Sequence, residues 1–259
     1  MDLGIAGRQA IVCASSRGLG FACAAALVRE GCHVFINGRQ ADTLEDAAED
    51  LRRSGNATVT PVVANINTAE GRQCLLSTCP APDILVNNNA GPPPGIFTQW
   101  GNDDWQAALD ANLLAPAFMI QGVISGMQSR GFGRIVNITS AMVKSPHAAM
   151  GLSTAARSGL TALCKGLSNE AVAANVTINN LLPERFDTDR QKFMAKLMMD
   201  RQGLSYAEAR DAIAATINAK RLGRPEEFGD ACAFLCSAQA GFISGQNLQL
   251  DGGSYAGLI

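Results

Sequence analysis

The chain has 259 residues, of which 47% are hydrophobic and 17% charged, enough apolar content for one large core or two small ones and too much for long disorder. Its 21 basic and 23 acidic residues nearly cancel, so there is no field of one sign to hold a nucleic acid or an anionic membrane. No apolar run approaches the roughly 20 residues needed to cross a bilayer, and we expect no membrane span.

Short apolar runs recur along the chain, with helical periodicity between them. Each run is predicted to form a strand, at residues 10–14, 33–36, 58–63, 83–86, 134–138, 176–181 and 247–250. Between the first two runs, the apolar side chains from Leu19 to Leu27 fall at helical spacing. Near-continuous apolar strands that alternate with helices predict a parallel sheet covered on both faces, hence a doubly wound α/β fold.

A longer helix is predicted from Asn102 to Arg130, with Asn102 as its N-cap and Asp103 and Asp104 in its first turn. We find no linker, repeat or low-complexity segment in the sequence. Residues 1–259 are therefore predicted to form one domain, with a sheet of about seven strands.

Residues 188–220 interrupt the alternation of strands and helices. Two helical pieces are predicted there, Arg190 to Arg201 and Ser205 to Asn218, and Ser205 and Glu208 form a capping-box pattern. A helical excursion at the carboxyl edge of a parallel sheet is suited to cover a ligand crevice. We expect a substrate lid, and the alternative is a surface helical hairpin. The methionines of the first piece favour either adaptable ligand contact or a helix-face core.

A glycine-containing turn follows the first predicted strand and leads into a helix. Its glycines, Gly18 and Gly20, let backbone N–H groups and the helix N-terminus approach a pyrophosphate closely. The second predicted strand ends in Asn37-Gly38-Arg39, without the carboxylate that would bind the ribose hydroxyls of NAD. Arg17 and Arg39 can instead hold a 2′-phosphate, which favours NADP(H). The alternative is that both arginines are solvated surface charges.

Further motifs follow in order along the chain: Asn65-Ile66, 83–91 (Asp-Ile-Leu-Val-Asn-Asn-Asn-Ala-Gly), Asn112, 137–140 (Asn-Ile-Thr-Ser), 182–184 (Leu-Pro-Glu) with Thr188, 224–227 (Arg-Pro-Glu-Glu) and 251–253 (Asp-Gly-Gly). With the glycine turn, they make the chain similar to the short-chain dehydrogenase/reductase family over essentially its whole length. The resemblance implies a Rossmann-type sheet, a nicotinamide cofactor, redox chemistry at a carbonyl or carbinol carbon, and a homodimer or homotetramer.

The resemblance also implies the residues that contact the cofactor. They are Ala14, Ser15, Ser16, Arg17, Gly18, Leu19, Gly20, Asn37, Arg39, Asn65, Ile66, Asn88, Asn89, Ala90, Gly91, Arg157, Pro183 and Thr188. The chain departs from the family pattern at Cys13-Ala14, where Thr-Gly is usual, and at Asn89, an additional asparagine before the Gly-Pro-Pro-Pro-Gly stretch 91–95.

The largest departure concerns catalysis. The family has a Tyr-x-x-x-Lys pair that begins thirteen positions after the serine corresponding to Ser140, and this chain has Ser153 and Arg157 there. In the family the tyrosine exchanges a proton with the substrate oxygen, the lysine holds the nicotinamide ribose, and the asparagine at the position of Asn112 supports a water chain. A serine hydroxyl lacks the tunable acidity of a phenol, whose pKa is about 10, and arginine does not donate a proton at neutral pH.

We predict Asn112, Ser140, Ser153 and Arg157 as the catalytic set, with Ser140 hydrogen-bonded to a developing oxyanion. Lys144, His147, Glu184 and Tyr206 are candidates for the missing proton donor or for substrate binding. For Lys144 and His147 the alternative is a solvated loop residue, and for Glu184 it is a cap of the following turn. The chain has one other tyrosine, Tyr255, in the C-terminal tail.

Three functions are compatible with these residues. The first is an NADP(H)-dependent oxidoreductase that reduces a carbonyl or an imine, or runs the reverse oxidation, for a small-molecule substrate. The second is an NADP(H)-binding scaffold or regulator that has lost redox catalysis. The third is a lyase or isomerase that uses the same pocket, for which the chain offers no clear pair of proton-transfer groups.

The eight cysteines contain no Cys-x-x-Cys pair, and both histidines, His33 and His147, lie away from them. No metal site is therefore predicted. Together with an N-terminus that does not resemble a secretory signal, the pattern suggests reduced cysteines in a core and a cytoplasmic protein.

Overall fold

A computed structural model describes residues 2–55 and 57–258 and contains one seven-stranded parallel sheet of order β3-β2-β1-β4-β5-β6-β7. The strands are β1 (Gln9–Val12), β2 (His33–Gly38), β3 (Val59–Val63), β4 (Ile84–Asn87), β5 (Gly133–Ile138), β6 (Val176–Pro183) and β7 (Asn247–Leu250). All seven predicted strands are confirmed. The strand order reverses between β1 and β4, which is where open α/β sheets form a ligand crevice.

Helices cover both faces of this sheet. They are α1 (Gly18–Arg29), α2 (Ala41–Ser54), α3 (Ala69–Thr78), α4 (Asn102–Leu109), α5 (Ala115–Arg130), α6 (Gly151–Ala171), α7 (Asp189–Gln202), α8 (Tyr206–Ala215) and α9 (Pro225–Cys236). One face packs α1, α2 and α9 around Leu27 and Phe228, and the other packs α3, α5 and α6 around Met119 and Leu160. Burial on both sides explains why the strands are apolar along nearly their whole length.

Helices α4 and α5 are joined by a π-helical turn, Asp110–Leu114, into one continuous helix. Its N-cap is Gly101 and not Asn102, because the Asp104 carboxylate accepts a hydrogen bond from the Gly101 N–H at 2.9 Å. Within the described residues, this stretch, Asn102–Arg130, is the one long and apolar enough to cross a membrane by length and composition. The expectation that no segment reaches this length is thereby corrected. Because Met119 and Val123 pack into the core beside the sheet, the observation is weak evidence for a span.

Helices α7 and α8 pack against each other around a small apolar cluster of their own. Ala195, Ala209 and Ile213 form its centre, and Met194, Met198, Met199, Leu204 and Leu222 surround it. The methionines therefore fill the interface between the two helices. The capping box is confirmed, with the Glu208 N–H donating to Ser205 Oγ and the Ser205 N–H donating to Glu208 Oε2, while α8 ends at Ala215 and not at residue 218.

A ladder of asparagine side chains crosses four neighbouring strands of the sheet. Asn87, Asn137, Asn180 and Asn247 occupy successive paired positions on β4, β5, β6 and β7. Each amide donates to the next carbonyl, at 2.9, 3.0 and 2.8 Å. The ladder satisfies the hydrogen-bonding groups of these side chains, and it connects β4, β5, β6 and β7 to one another.

Candidate active site

The glycine turn lies between β1 and α1, at the reversal of the strand order. Gly18 has φ +62°, and Ala14 has φ +45° where the family pattern has glycine. A Cβ at Gly20 would lie 2.5 Å from the Ala14 carbonyl oxygen and 2.7 Å from Asn88 Nδ2. The turn therefore requires glycine at position 20, where the chain passes close to Ala14 and Asn88. It also holds Ala14 at a positive φ that alanine seldom adopts.

The side chains of Ser15 and Asn37 are buried and face the protein interior. Ser15 Oγ donates to the Val12 carbonyl and accepts from the Asn37 N–H. Asn37 Nδ2 donates to the carbonyls of Val62 and Ala64, and its Oδ1 accepts from the Ala14 N–H. These two predicted cofactor residues thus position the turn, and their side chains have their partners within the protein.

The N-terminus of α1 has neither a side-chain cap nor an acidic residue in its first turn, so its N–H groups remain suited to a phosphate. Arg17 and Arg39 are exposed at the two sides of this turn. Neither belongs to an ion pair among the described residues. Ser16 packs beside Gly38, and Thr188 Cγ2 lies 4.0 Å from the position of a Cβ on Gly18.

The segment that follows β4, residues 88–95, is termed the β4 loop. Asn88 Nδ2 donates to the Ala14 carbonyl at 3.0 Å and joins this loop to the glycine turn. The additional asparagine, Asn89, donates to Asn67 Oδ1 and the Ala111 carbonyl, and its own Oδ1 accepts from the Ala90 N–H. Both the Nδ2 and the Oδ1 of Asn89 are therefore hydrogen-bonded, and the side chain fixes the path of the loop.

Asn112 lies in the π-helical turn and is buried. Its Nδ2 donates to the carbonyls of Ala90 and Ala108 at 3.3 and 3.4 Å, and its Oδ1 has no partner among the described residues. A cavity of about 10 Å³ beside it is also lined by Ile66 and Arg157. That volume matches one water molecule, which is the partner that an unpaired carbonyl oxygen requires.

The structure brings Ser153, Arg157 and the β4 loop together. Arg157 is buried, and its Nε donates to Ser153 Oγ at 3.2 Å, its Nη1 to the Ile138 carbonyl at 2.6 Å and its Nη2 to the Asn89 carbonyl at 3.3 Å. A Cβ on Gly91 would lie 3.4 Å from Arg157 Nη2 and 3.7 Å from Ser153 Oγ. Arg157 therefore connects the end of β5 to the β4 loop.

Ser140 follows β5 and caps a 3₁₀ turn, with its Oγ accepting from the Met142 N–H at 3.2 Å. The hydroxyl proton of Ser140 is not used in that bond, and the same holds for Ser153, which accepts from Arg157. Each hydroxyl can therefore donate to a ligand oxygen.

Sequence reasoning missed the approach of Arg190, on the first turn of α7, to this site. Its Nη2 donates to the Pro92 carbonyl at 3.3 Å. Burial, together with the nearby charge of Arg190, lowers the pKa of Arg157 to about 10, and burial also lowers the pKa of Arg190. The helical periodicity around residue 190 gives no signal for this contact, because it depends on how α7 packs against the β4 loop.

The four proton-donor candidates lie in different surroundings. His147 is exposed, and its Nδ1 accepts from the Ala149 N–H. Lys144 Nζ lies 5.4 Å from the ring centroid of Tyr255. Tyr206 is exposed at the start of α8, with Arg210 at 5.9 Å from its ring centroid.

Glu184 follows Pro183 at the carboxyl end of β6, and its side chain is 18% exposed. Burial raises the pKa of Glu184, the neighbouring Arg185 lowers it, and Asp251 raises it further. Its backbone N–H donates to the Leu250 carbonyl, which places Glu184 between the ends of β6 and β7.

An aromatic cluster supports the far side of the β4 loop. Trp100 makes edge contacts with Phe97 and Trp105, at centroid distances of 6.2 and 6.0 Å. Glycines at positions 95 and 151 leave room for its indole, since a Cβ at either would lie within 3 Å of the ring. A cavity of about 290 Å³ between the loop and α4 is lined in part by Trp100.

Comparisons with known proteins agree with this architecture. A family model described as enoyl-(acyl carrier protein) reductase matches residues 13–255. The chain is similar to dehydrogenase/reductase SDR family member 4 of Homo sapiens, with 32% identity over 255 residues that cover 96% of this chain and 88% of that protein. It is also similar to the NADPH-dependent reductase BacG of Bacillus subtilis, with 32% identity over 252 residues, or 95% of this chain and 97% of that protein.

The crystal structure of L-sorbose reductase from Gluconobacter frateurii, complexed with NADPH and L-sorbose, superposes with a TM-score of 0.94. It is 28% identical, and the match covers 100% of both chains.

Proposed function

Because the chain belongs to the short-chain dehydrogenase/reductase family, we propose that it is an NADP(H)-dependent oxidoreductase that reduces a carbonyl or imine carbon with an atypical active site. The observation that carries this proposal is the open N-terminus of α1, flanked by two arginines that form no ion pair among the described residues. The similarity to NADPH-dependent reductases supports it.

The residues present fit NADP(H). The N–H groups at the start of α1 hold the pyrophosphate, while Arg17 and Arg39 hold the 2′-phosphate in place of the carboxylate that NAD would require. Thr188 lies beside the same turn, at the start of the segment 188–220 that we assign as a lid. When bound, this cofactor supplies the hydride.

Ser140 and Ser153 then act on the substrate oxygen or nitrogen. Both hydroxyls accept a hydrogen bond from the protein and keep their own proton to donate, so they can stabilise negative charge that develops during reduction. Arg157 positions Ser153, and its positive charge favours a developing anion. The unpaired Oδ1 of Asn112 accepts a hydrogen bond from a water molecule in the small cavity that Arg157 also lines.

Glu184 is the group that we assign as proton donor. It is largely buried and its pKa is raised, which keeps a carboxylic acid protonated closer to neutral pH. His147, Tyr206 and Lys144 are less suited, because the first two are exposed and Lys144 packs against the Tyr255 ring.

A second candidate function is an NADP(H)-binding regulator without hydride transfer. It is favoured by one observation, namely that Arg157 makes three hydrogen bonds to protein acceptors, including Ser153. In that case the family's catalytic pair has become an internal support for the cofactor loops.

The experiment follows deuterium from stereospecifically labelled NADPH into a panel of ketones, oxo acids and cyclic imines. A reductase transfers one deuteride to the substrate carbon per NADPH consumed. The variant that replaces both Arg17 and Arg39 with Gln should lose its preference for NADPH over NADH. Arg53→Gln, an exposed arginine on α2, is the matched control. Tight NADPH binding with no deuterium in any product would contradict the reductase proposal and support the regulator.

A further inference from the structure

Two arginines from different helices converge on the β4 loop. Arg157 of α6 donates to the Asn89 carbonyl and Arg190 of α7 donates to the Pro92 carbonyl, each at 3.3 Å. The two carbonyls are three residues apart, and between them Gly91 lies against Ser153 and Arg157. The guanidinium groups therefore reach the same short stretch of chain, which lies against the proposed catalytic serine at Gly91.

The positive charges of these arginines are not balanced. No ion pair of the described residues includes Arg157 or Arg190. The two side chains donate to backbone carbonyls and one hydroxyl, which satisfy hydrogen bonds but carry no negative charge. Arg157 is buried whereas Arg190 is exposed. Burial lowers the pKa of Arg157 most, and the like charge of Arg190 lowers it further.

The position of Arg190 adds a further unfavourable contribution. It lies in the first turn of α7, where the helix dipole disfavours a cation. An anion between the β4 loop and α7 would offset both this effect and the repulsion between the two arginines. The two cations thus form a site suited to an anionic partner.

We infer that this partner is a carboxylate of the substrate, bound by Arg190, so that the enzyme reduces oxo acids or their imine equivalents. The inference rests on the proposed reductase function and names its substrate class. Arg190 bonds to Pro92, the neighbour of Gly91, and Gly91 lies against Ser153, whereas the pyrophosphate position lies at the glycine turn next to Thr188. A substrate carboxylate fits this position better than a phosphate of the cofactor.

The experiment compares 2-oxo and 3-oxo acids with their methyl esters as substrates, with NADPH, in the wild type and three variants. Arg190→Gln should lower kcat/KM for the acids by about tenfold or more relative to the esters, because it removes a charge-assisted hydrogen bond. Arg190→Lys should recover part of the loss. Arg201→Gln, an exposed arginine at the end of the same helix, should leave both substrate classes unchanged, and the Kd for NADPH should stay within about twofold throughout.

Three outcomes would overturn the inference: wild-type preference for the esters, an equal loss for acids and esters, or a rise in the NADPH Kd of Arg190→Gln that accounts for the loss. The last outcome would assign Arg190 to a phosphate of the cofactor. Failure of the proposed function looks different, because no deuterium would then reach any substrate, acid or ester. Transfer to neutral substrates without selectivity at Arg190 would leave the function standing and reject the inference alone.

Discussion

Arg157 illustrates how one buried side chain can hold two segments of the chain together. A lysine ammonium is a compact charge on a flexible stem, whereas a guanidinium has five N–H donors in a planar fork. In this chain three of those donors engage Ser153, Ile138 and Asn89. Arg157 therefore connects the end of β5 to the β4 loop as well as supplying charge.

At the residue scale, Glu184 gives a prediction in pH. Since its pKa is raised, it is protonated below that pKa and loses its proton as the pH rises through it. We expect the reductive kcat/KM to be highest at low pH and to fall on that rise. Glu184→Gln should remove this pH dependence and lower the rate by roughly a hundredfold.

Measured pH profiles of kcat/KM check this assignment, with Glu170→Gln, an exposed glutamate on α6, as the matched control. The control should keep the wild-type profile. If kcat/KM of Glu184→Gln still fell with rising pH as in the wild type, the proton donor would be another group.

At the scale of elements, the asparagine ladder connects β4, β5, β6 and β7 at paired positions. Asn137 is its central member, and its amide donates to Asn180 Oδ1 and to Cys164 Sγ while its Oδ1 accepts from Asn87. Asn247 lies at the edge strand β7, is only partly buried and takes part in one bond of the ladder.

We predict that Asn137→Ala lowers the free energy of unfolding by about 2 to 4 kcal/mol, since buried polar partners lose their hydrogen bonds. Asn247→Ala at the edge should cost about 1 kcal/mol or less. Urea unfolding followed by circular dichroism measures both. Equal losses of unfolding free energy for the two substitutions would mean that Asn137 contributes no more to stability than Asn247 at the edge.

At the scale of the whole molecule, the sheet could be predicted from the sequence because strands buried on both faces leave a continuous apolar signal. The N-cap at Gly101 and the end of α8 depend on local hydrogen bonds that residue type alone does not settle. The π-helical turn that carries Asn112 leaves no clear signal in the periodicity. The roles of Ser15 and Asn37, and the approach of Arg190 to Arg157, arise from packing between segments distant in sequence.

The cysteines give a prediction for the folded chain as a whole. Cys74 is exposed and the other seven are buried, and burial raises the pKa of Cys13, Cys32, Cys79 and Cys164 to about 12. Thiolates, not thiols, react with disulfide reagents. A titration with such a reagent should therefore label Cys74 alone in the native protein and all eight cysteines in urea.

The variant Cys74→Ser is the control, and it should show no rapid labelling under native conditions. More than one fast thiol in the wild type would indicate that a helix on the sheet opens readily.

The chain has only two tryptophans, and both belong to the cluster behind the β4 loop, with Trp100 held between the positions of Gly95 and Gly151. The indole emission of the entire molecule therefore originates beside the candidate site. A movement of the β4 loop or of the start of α6 changes the surroundings of Trp100 directly. The protein thus carries an intrinsic optical reporter, through which binding and loop closure can be timed in the unlabelled wild type.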